Sequence, residues 1–297
     1  MSSDIASRVT RKVDVRNKKK LDGKGQFWLV FRYFALTILF VIAALPIYIM
    51  VINSVKGITG VTQSAAFIPP TTLDFSAWGP TWEILREPMF RTLFFVVQSS
   101  IISAIIGAIN GFVFAKWRFK GSTIIFTTFL FGMFIPYQAI MIPLTQFNKW
   151  AGIGGTIYVL VFAHIIYGIP ICTLIFRNYY QGIPNELIEA ARVDGASMVH
   201  IYRSIILPLS IPGFVVVLIW QFTSAWNDFL FAIFLTGGSP KLSVATTALN
   251  FITGSGNQVY YGNNMTASLI VSIPTLLVYL FLGRYFLRGL LSGSLKG

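Results

Sequence analysis

Long apolar stretches, separated by shorter polar segments, dominate this chain of 297 residues. A helix needs about 20 mostly apolar residues to cross the hydrocarbon core of a membrane. Six stretches are long enough, and we predict one transmembrane helix in each: about residues 27–54, 92–115, 122–146, 156–176, 209–235 and 266–285. The pattern therefore predicts an all-α membrane protein with six transmembrane helices.

Two of the polar segments between the spans have features of their own. Segment 56–90 contains four prolines, and we expect an extended loop that ends in a short interfacial helix. Segment 236–264 is rich in Gly, Ser, Asn and Thr, and we expect a short helix near residues 243–252. Neither segment is large enough to form a separate domain.

The composition agrees with a membrane protein and limits the possible partners. Charged residues make up 11% of the chain, whereas soluble domains usually carry about a quarter. The net charge is +13, and residues 1–26 hold eight of the 23 Lys and Arg directly before the first span. No aromatic residues are interleaved there to stack on bases. We interpret this segment as a basic cytoplasmic tail, with some attraction to anionic membrane lipid, and we expect no nucleic-acid binding.

The remaining basic residues predict the orientation. With the tail inside, the inner segments carry nine further Lys and Arg, and the outer segments carry four. This asymmetry follows the positive-inside rule and places both termini in the cytoplasm. The first apolar stretch and its basic lead are both too long for a cleavable signal peptide, so we expect an uncleaved anchor.

The polar segment 184–212 between the fourth and fifth spans reads PNELIEAARVDGASMVHIYRSIILPLSIP. Pro184 is expected in the first turn of a short helix, with Glu186 and Glu189 near its positive end. Gly195 is expected to end this helix in the left-handed conformation, and Ser197 to cap a second one. Such a unit suits a surface presented to another protein. The alternative is an amphipathic helix that lies on the membrane surface.

Polar side chains inside the spans are candidates for a substrate path. Amides donate and accept hydrogen bonds and aromatic faces stack on sugar rings, so this set suits a neutral, hydroxyl-rich solute. Asp228 is the only carboxylate within a predicted span, and either a functional role or a hydrated capping or pairing role fits it. The candidates are Gln98, Asn110, Tyr137, Gln138, Asn227 and Asp228.

Other residues in the spans are interpreted as structural. The serines of the second span and Gly107 suit close helix packing. His164 is a lone histidine, for which a hydrogen-bonded structural role is expected. Cys172 lies in an apolar run and is expected to pack there.

Several kinds of site have no counterpart in the sequence. No G-x-x-x-x-G-K-[S/T] phosphate loop, no Cys/His cluster with metal spacing and no catalytic constellation is present. We therefore expect no enzyme activity, no metal site and no cofactor in this chain. The alternatives to a partner-driven transporter are an ion-coupled secondary carrier or channel and a membrane-embedded enzyme, and few ionisable groups lie in the spans to support either.

Four segments resemble one family of transporters. The run Glu189-Ala190-Ala191, followed by Asp194-Gly195-Ala196 and then Leu207-Pro208, resembles the EAA signature of ABC importer permeases. The segments FIPYQAIMIPL (134–144), SAWNDFLFA (224–232) and RYFLRGLLSGSLKG (284–297) are similar to those of maltose-type sugar-importer permeases. Within that family the chain most resembles permeases of glucose and mannose importers.

The resemblance implies a type I ABC importer permease fold in a prokaryotic inner membrane. It also implies a second permease, usually a different chain, an ATPase dimer that binds ATP and Mg, and an extracytoplasmic sugar-binding protein. The sugar would be a monosaccharide such as glucose or mannose, or a small oligosaccharide. A cytoplasmic coupling helix would dock onto the ATPase through Glu186, Glu189, Ala190, Ala191, Asp194, Gly195 and Ala196. The C-terminal residues Ser294, Leu295, Lys296 and Gly297 would also contact the ATPase.

These expectations divide the chain into four parts. They are a basic tail (1–26), the first span with an extracytoplasmic loop (27–91), a permease core of five spans (92–285) with the coupling loop at 178–208, and a C-terminal tail (286–297).

Overall fold

The computed structural model describes residues 23–61, 65–117, 119–254 and 260–294. All regular structure in these ranges is helical, apart from an isolated bridge between Lys56 and Asp74. The α-helices of four or more residues are α1 (Gly23–Ser54), α2 (Trp78–Lys116), α3 (Ser122–Phe131), α4 (Tyr137–Trp150), α5 (Tyr158–Gln181), α6 (Glu186–Val193), α7 (Met198–Ile201), α8 (Ile211–Trp226), α9 (Leu230–Leu235), α10 (Ala245–Gly254) and α11 (Tyr261–Ser294). Most of the basic tail lies outside the described residues.

The described helices account for the predicted spans. Four of them, α1, α2, α5 and α11, are each long and apolar enough to cross a membrane. Two bent pairs, Ser122–Phe134 with α4 and Met198–Leu209 with α8, also have the required length and composition, and the number is six when each pair is counted as one span. Six is the number that the apolar pattern predicts.

The third predicted span is a bent pair rather than the single transmembrane helix expected. After α3 the chain makes a short 3₁₀ turn, Gly132–Phe134, and α4 then departs at an angle of 95°. The break falls at Ile135 and Pro136, which have extended ψ angles of 119° and 121°. A proline disfavours helical geometry in the residue before it, which explains the position of the break. Pro143, by contrast, lies inside α4.

The fifth predicted span, 209–235, is also interrupted. One bend of 73° lies at Ser210, just before α8. A second interruption covers residues 227–229, between α8 and α9.

The ends of two other spans differ from the prediction. Helix α2 begins at Trp78, so the short interfacial helix expected before residue 92 is the first part of a continuous 39-residue helix. Helix α11 extends beyond both ends of the predicted sixth span. The short helix expected near residues 243–252 is confirmed as α10.

The chain forms two compact units, residues 1–49 and 50–297. In the first, the described structure is helix α1 up to Ile49. The second contains the last turn of α1 and every other helix, and its centre is the packed pair α2 and α5. A Cβ atom on Gly107 of α2 would lie 2.9 Å from the carbonyl carbon of Cys172 on α5, so only glycine fits at this distance. Ser103 is fully buried at the same interface, which agrees with the packing roles expected for these residues.

Three helices of the second unit meet at the carbonyl oxygen of Ser54, the last residue of α1. This oxygen accepts a hydrogen bond of 2.9 Å from the indole of Trp78 and one of 3.2 Å from the hydroxyl of Thr266. Beyond Ser54, Val55 and Gly57 exchange backbone hydrogen bonds with Asp74. Hydrogen bonds from Ser76 lower the pKa of the Asp74 carboxyl. The end of α1 is thereby tied to the starts of α2 and α11.

Candidate functional site

The coupling loop, residues 178–208, starts in the last turn of α5 and contains a short acidic helix. Helix α6 starts after Asn185, and Glu186 and Glu189 lie in its first turn, as predicted. Pro184 lies before the helix rather than in its first turn, because the chain between Gly182 and Asn185 is not helical. The Lys116 ammonium from the end of α2 donates to the Ile183 carbonyl (2.6 Å) and to the Asn185 side chain (2.7 Å). These bonds fix the approach to the helix.

The turn after α6 is a complete Schellman motif. Gly195 has φ +81°, so the predicted left-handed glycine is confirmed. The N–H of Gly195 donates to the Arg192 carbonyl (3.0 Å), and the N–H of Ala196 donates to the Ala191 carbonyl (2.9 Å). This pair of bonds satisfies carbonyls at the helix end and directs the chain sharply away from the helix axis.

A second short helix follows the turn. The hydroxyl of Ser197 accepts from the N–H of His200, so Ser197 is the N-cap that the sequence predicts. Helix α7 then runs into a π-helical turn, Tyr202–Ile206, and a last helical turn, Leu207–Leu209. Pro208 lies inside that last turn, and the fifth span proper begins after Ser210.

One face of the loop is anchored in the core. Ile188 is the one buried residue of α6, and it packs with Ile201 and Ile206 in an apolar cluster. Phe112 and Tyr180 belong to the same cluster, so the loop rests directly on α2 and α5. The anchoring is apolar, and the loop is therefore held in one orientation.

The opposite face is open. Glu186, Glu189, Ala190, Asp194 and Gly195 are exposed, and Val193 is 87% exposed between the carboxylates. Ala191 and Ala196 are partly buried against the apolar cluster, so they support the turn from below rather than forming the open surface. The residues proposed for docking thus divide into an exposed acidic group and a supporting pair.

Of the four C-terminal residues proposed for the same contact, one lies within the described residues. Ser294 is the last residue of α11. Leu295, Lys296 and Gly297 lie outside the described residues.

The candidate substrate-path residues fall at different levels of the second unit. Gln98 and Asn110 are both partly exposed on α2, and twelve residues of helix separate them by about 18 Å. Gln98 donates to the Phe94 carbonyl of its own helix (3.2 Å). Gln138 is exposed in the first turn of α4, and Asn227 is exposed at the end of α8. Gln98 and Asn110 therefore do not share one site on α2.

A polar and aromatic cluster forms around Asp228 instead. Its carboxylate accepts from the N–H groups of Phe231 (3.4 Å) and Ala232 (3.1 Å) and so caps helix α9. The capping role considered for Asp228 is therefore present. Tyr137, Tyr167 and Phe231 pack against one another beside it, with ring centroids 5.1 to 6.4 Å apart.

His164 also belongs to this cluster, which the sequence reasoning missed. Its Nε2 lies 3.6 Å from a carboxylate oxygen of Asp228, and both side chains are largely buried, at 7% and 14% exposure. The ring stacks on Phe95, and the backbone carbonyl of His164 accepts from the Gln221 amide (3.0 Å). Ionisable groups within membrane spans tend to pair with one another. This tendency is the signal from which a contact between His164 and Asp228 could have been predicted.

The coupling loop lies within a region that matches a known protein family. A sequence profile of the family described as binding-protein-dependent transport system inner membrane component matches residues 115–291, which include the whole segment from α6 to Pro208. This chain belongs to that family. The permease is thus an inner-membrane component of an ABC importer, as the EAA-like run of the coupling loop indicates.

Two individual relatives and a solved structure support the assignment to this family. The xylose/arabinose import permease protein XacI of Haloferax volcanii is 35% identical over 82% of the permease and 86% of its own length. The glucose import system permease protein GlcU of Saccharolobus solfataricus is 33% identical over 89% and 95%, respectively. A chain of the bacterial ABC transporter involved in the import of the acidic polysaccharide alginate superposes with a TM-score of 0.76, at 22% identity, over 90% of the permease and 99% of that chain. The permease therefore has the fold of type I ABC importer permeases.

Proposed function

We propose that the permease is the membrane subunit of an ATP-driven carbohydrate importer and that its coupling loop docks onto a separate ATPase subunit. The observation that carries the docking role is the geometry of α6. Ile188 and the Schellman turn hold this helix against the core, while Glu186, Glu189 and Asp194 face outward. Since the loop is fixed rather than free, a push on it is passed on to α2 and α5.

The proposed partners follow from the family. They are a second permease chain, a dimer of ATPase subunits that binds ATP and Mg, an extracytoplasmic sugar-binding protein and the surrounding membrane lipid. The permease itself needs no cofactor in this arrangement. The basic tail and the basic inner segments support a cytoplasmic position for both termini and for the coupling loop.

The proposed contact is acidic with an apolar centre. Glu189 pairs with a basic group of the ATPase, Ala190 allows close approach, and Val193 covers an apolar patch on the partner. The C-terminal residues 294–297 form a second contact.

Carbohydrate is the proposed cargo because relatives are named for sugar import, XacI for xylose and arabinose and GlcU for glucose. A monosaccharide such as glucose or mannose, or a small oligosaccharide, fits the amide and aromatic side chains along the spans. In this proposal Tyr137, Asn227 and Asp228 lie at one level of the path, beside the aromatic cluster, and Gln138 lies next to them on α4. Gln98 and Asn110 line other levels on α2.

The docking role is tested by Gly195→Gln. A residue other than glycine in the left-handed conformation costs roughly 1–2 kcal/mol, which corresponds to a change of about 5- to 30-fold in the population of the correct turn. We expect a loss of this order in the amount of ATPase that co-purifies with the permease, and a matching loss of uptake. The matched control is Gly121→Gln, since Gly121 has φ +83° and open space around it but lies outside the coupling loop.

The two variants distinguish a docking role of the loop from a general effect of strain in a turn. Retention of the ATPase and of uptake by Gly195→Gln would show that the loop is not the docking element. Equal losses in both variants would show that the effect comes from turn strain in general.

The buried His164–Asp228 pair favours one second candidate, an ion-coupled secondary carrier. This function requires that uptake by the permease alone follows an ion gradient. Labelled glucose uptake into liposomes with a proton gradient, with and without an ionophore, tests it. Uptake that needs the ATPase and ATP and ignores the ionophore eliminates this candidate.

A further inference from the structure

The coupling loop is joined to the fifth span by a sharp bend at Ser210. The helical segment 198–209 and helix α8 meet there at 73°. Pro208 and Pro212 flank the bend, and each lacks a backbone N–H for helical hydrogen bonding. The π-helical turn Tyr202–Ile206 precedes the bend, and π-turns within helices are frequent at functional sites. The backbone alone therefore holds this junction weakly.

Side chains from the end of α5 hold it instead. The Tyr179 hydroxyl donates to the Leu209 carbonyl (2.7 Å). The Tyr180 hydroxyl lies 3.1 Å from the Ser210 hydroxyl, which is also bonded to the Ile206 carbonyl. The Ser210 hydroxyl is the donor in both contacts, so its one hydrogen is shared between the Tyr180 oxygen and the Ile206 carbonyl. Two neighbouring tyrosines thus bind two neighbouring residues of the bend.

The packing around these bonds is tight. Ser210 and Tyr180 are both fully buried. A Cβ atom on Gly213, in the first turn of α8, would lie 3.3 Å from the ring of Tyr179. The ring of Tyr180 also stacks on Phe176. The start of α8 therefore fits closely against the end of α5, and the bend angle is set by this contact.

The same two helices meet again at their far ends. His164 lies sixteen residues before Tyr180, about 24 Å along α5. There it approaches Asp228, directly after α8, and its carbonyl accepts from Gln221 of α8. Helix α8 thus connects the bend beside the coupling loop with the polar cluster at the opposite end.

We propose that Tyr179 and Tyr180 are positioning residues that fix the bend at Ser210, so that displacement of the coupling loop turns α8 as a rigid lever. This inference rests on the proposed docking of the loop. Without the two hydroxyls, a displaced loop flexes the chain at Ser210, and ATP is hydrolysed with little movement of α8.

The test uses the complete transporter in liposomes, with ATPase, second permease and binding protein present and labelled glucose as the probe. Tyr180→Phe and Tyr179→Phe keep the rings and remove one hydroxyl each. We expect wild-type co-purification of the ATPase, and a fall in glucose uptake per ATP hydrolysed of about 2- to 12-fold, the range for losing one hydrogen bond. Tyr158→Phe, at the other end of α5, is the matched control and should leave this ratio unchanged.

A double-mutant cycle shows whether the residues act through each other. Since the Tyr180 hydroxyl bonds to Tyr202 as well as to Ser210, Tyr180→Phe combined with Ser210→Ala should cost less than the sum of the two single losses. Fully additive losses would overturn this assignment.

A distance measurement tests the hinge without any sugar. Nitroxide labels at Val199 and Trp220, both exposed, report the angle between the loop and α8 in the same complex. We expect a broader distance distribution in Tyr180→Phe than in the wild type. Unchanged distances together with unchanged uptake per ATP would overturn the inference, whereas failure of the wild-type loop to retain the ATPase would instead overturn the proposed function.

Discussion

The packing of α2 against α5 leads to a quantitative prediction for Gly107→Ala. The added Cβ would lie 2.9 Å from the carbonyl carbon of Cys172 and 3.0 Å from the amide nitrogen of Thr173, and closer still to the Cys172 Cβ. Carbon atoms normally approach to about 3.5–4.0 Å, so the two helices must separate by roughly 0.5–1 Å. Overpacking of this kind typically costs about 1–3 kcal/mol, and the opposing atoms here belong mostly to rigid backbone.

The assay is an unfolding titration of the purified permease with sodium dodecyl sulfate in detergent micelles, followed by tryptophan fluorescence. Gly79→Ala is the matched control, because Gly79 lies in the same helix with open space around it. Alanine is a better helix former than glycine, so this control should unfold at the same or a slightly higher detergent fraction. Adding Cys172→Gly to Gly107→Ala removes the nearest clashing atom and should restore part of the stability. If Gly107→Ala and Gly79→Ala unfold at the same detergent fraction, the close approach of the two helices is wrong.

Two further predictions use the same titration. Thr92→Val leaves the buried N–H of Ala245 without its 2.7 Å acceptor, and should destabilise the permease by about 1–3 kcal/mol; Thr145→Val, which loses only a bond to its own helix, is the comparison, and equal effects would refute the role of the contact. Asp228→Ala removes the cap of α9 and should cost about 1 kcal/mol, whereas Asp228→Asn keeps an acceptor and should cost less. An equal loss in both variants would assign the effect to the missing charge beside His164 rather than to the cap.

Much of the fold could be predicted from the apolar pattern, because burial in lipid requires long apolar helices. The break at Pro136 follows from a local rule about residues before proline, but its angle depends on the neighbouring helices. The interruption at residues 227–229 has a weaker signal, since Asn and Asp favour helix ends, and the capping role considered for Asp228 is the part of it that could be predicted. The proximity of His164 and Asp228 depends on tertiary packing, because 64 positions separate them along the chain.

Much of the conformation of the coupling loop could be predicted from the sequence, because it depends on local interactions. Glycine at position 195 and the cap at Ser197 act through neighbouring backbone groups, and the structure shows both. The resemblance implies the same docking role for Ala190 and Ala191, yet the first is exposed and the second is partly buried. Consecutive helical residues point about 100° apart, so this division was available from the helical period alone.

The shortness of helix α6 determines how its surface would behave outside the protein. Eight residues are too few to form a stable helix in water, because the unfavourable nucleation step is not offset in helices shorter than about 12–15 residues. A synthetic peptide of this sequence would therefore be unfolded and would lose its full conformational entropy on binding. The free peptide should be a poor competitor for the ATPase, and an effective inhibitor with this sequence would need a chemical staple in place of the contact that Ile188 makes with the core.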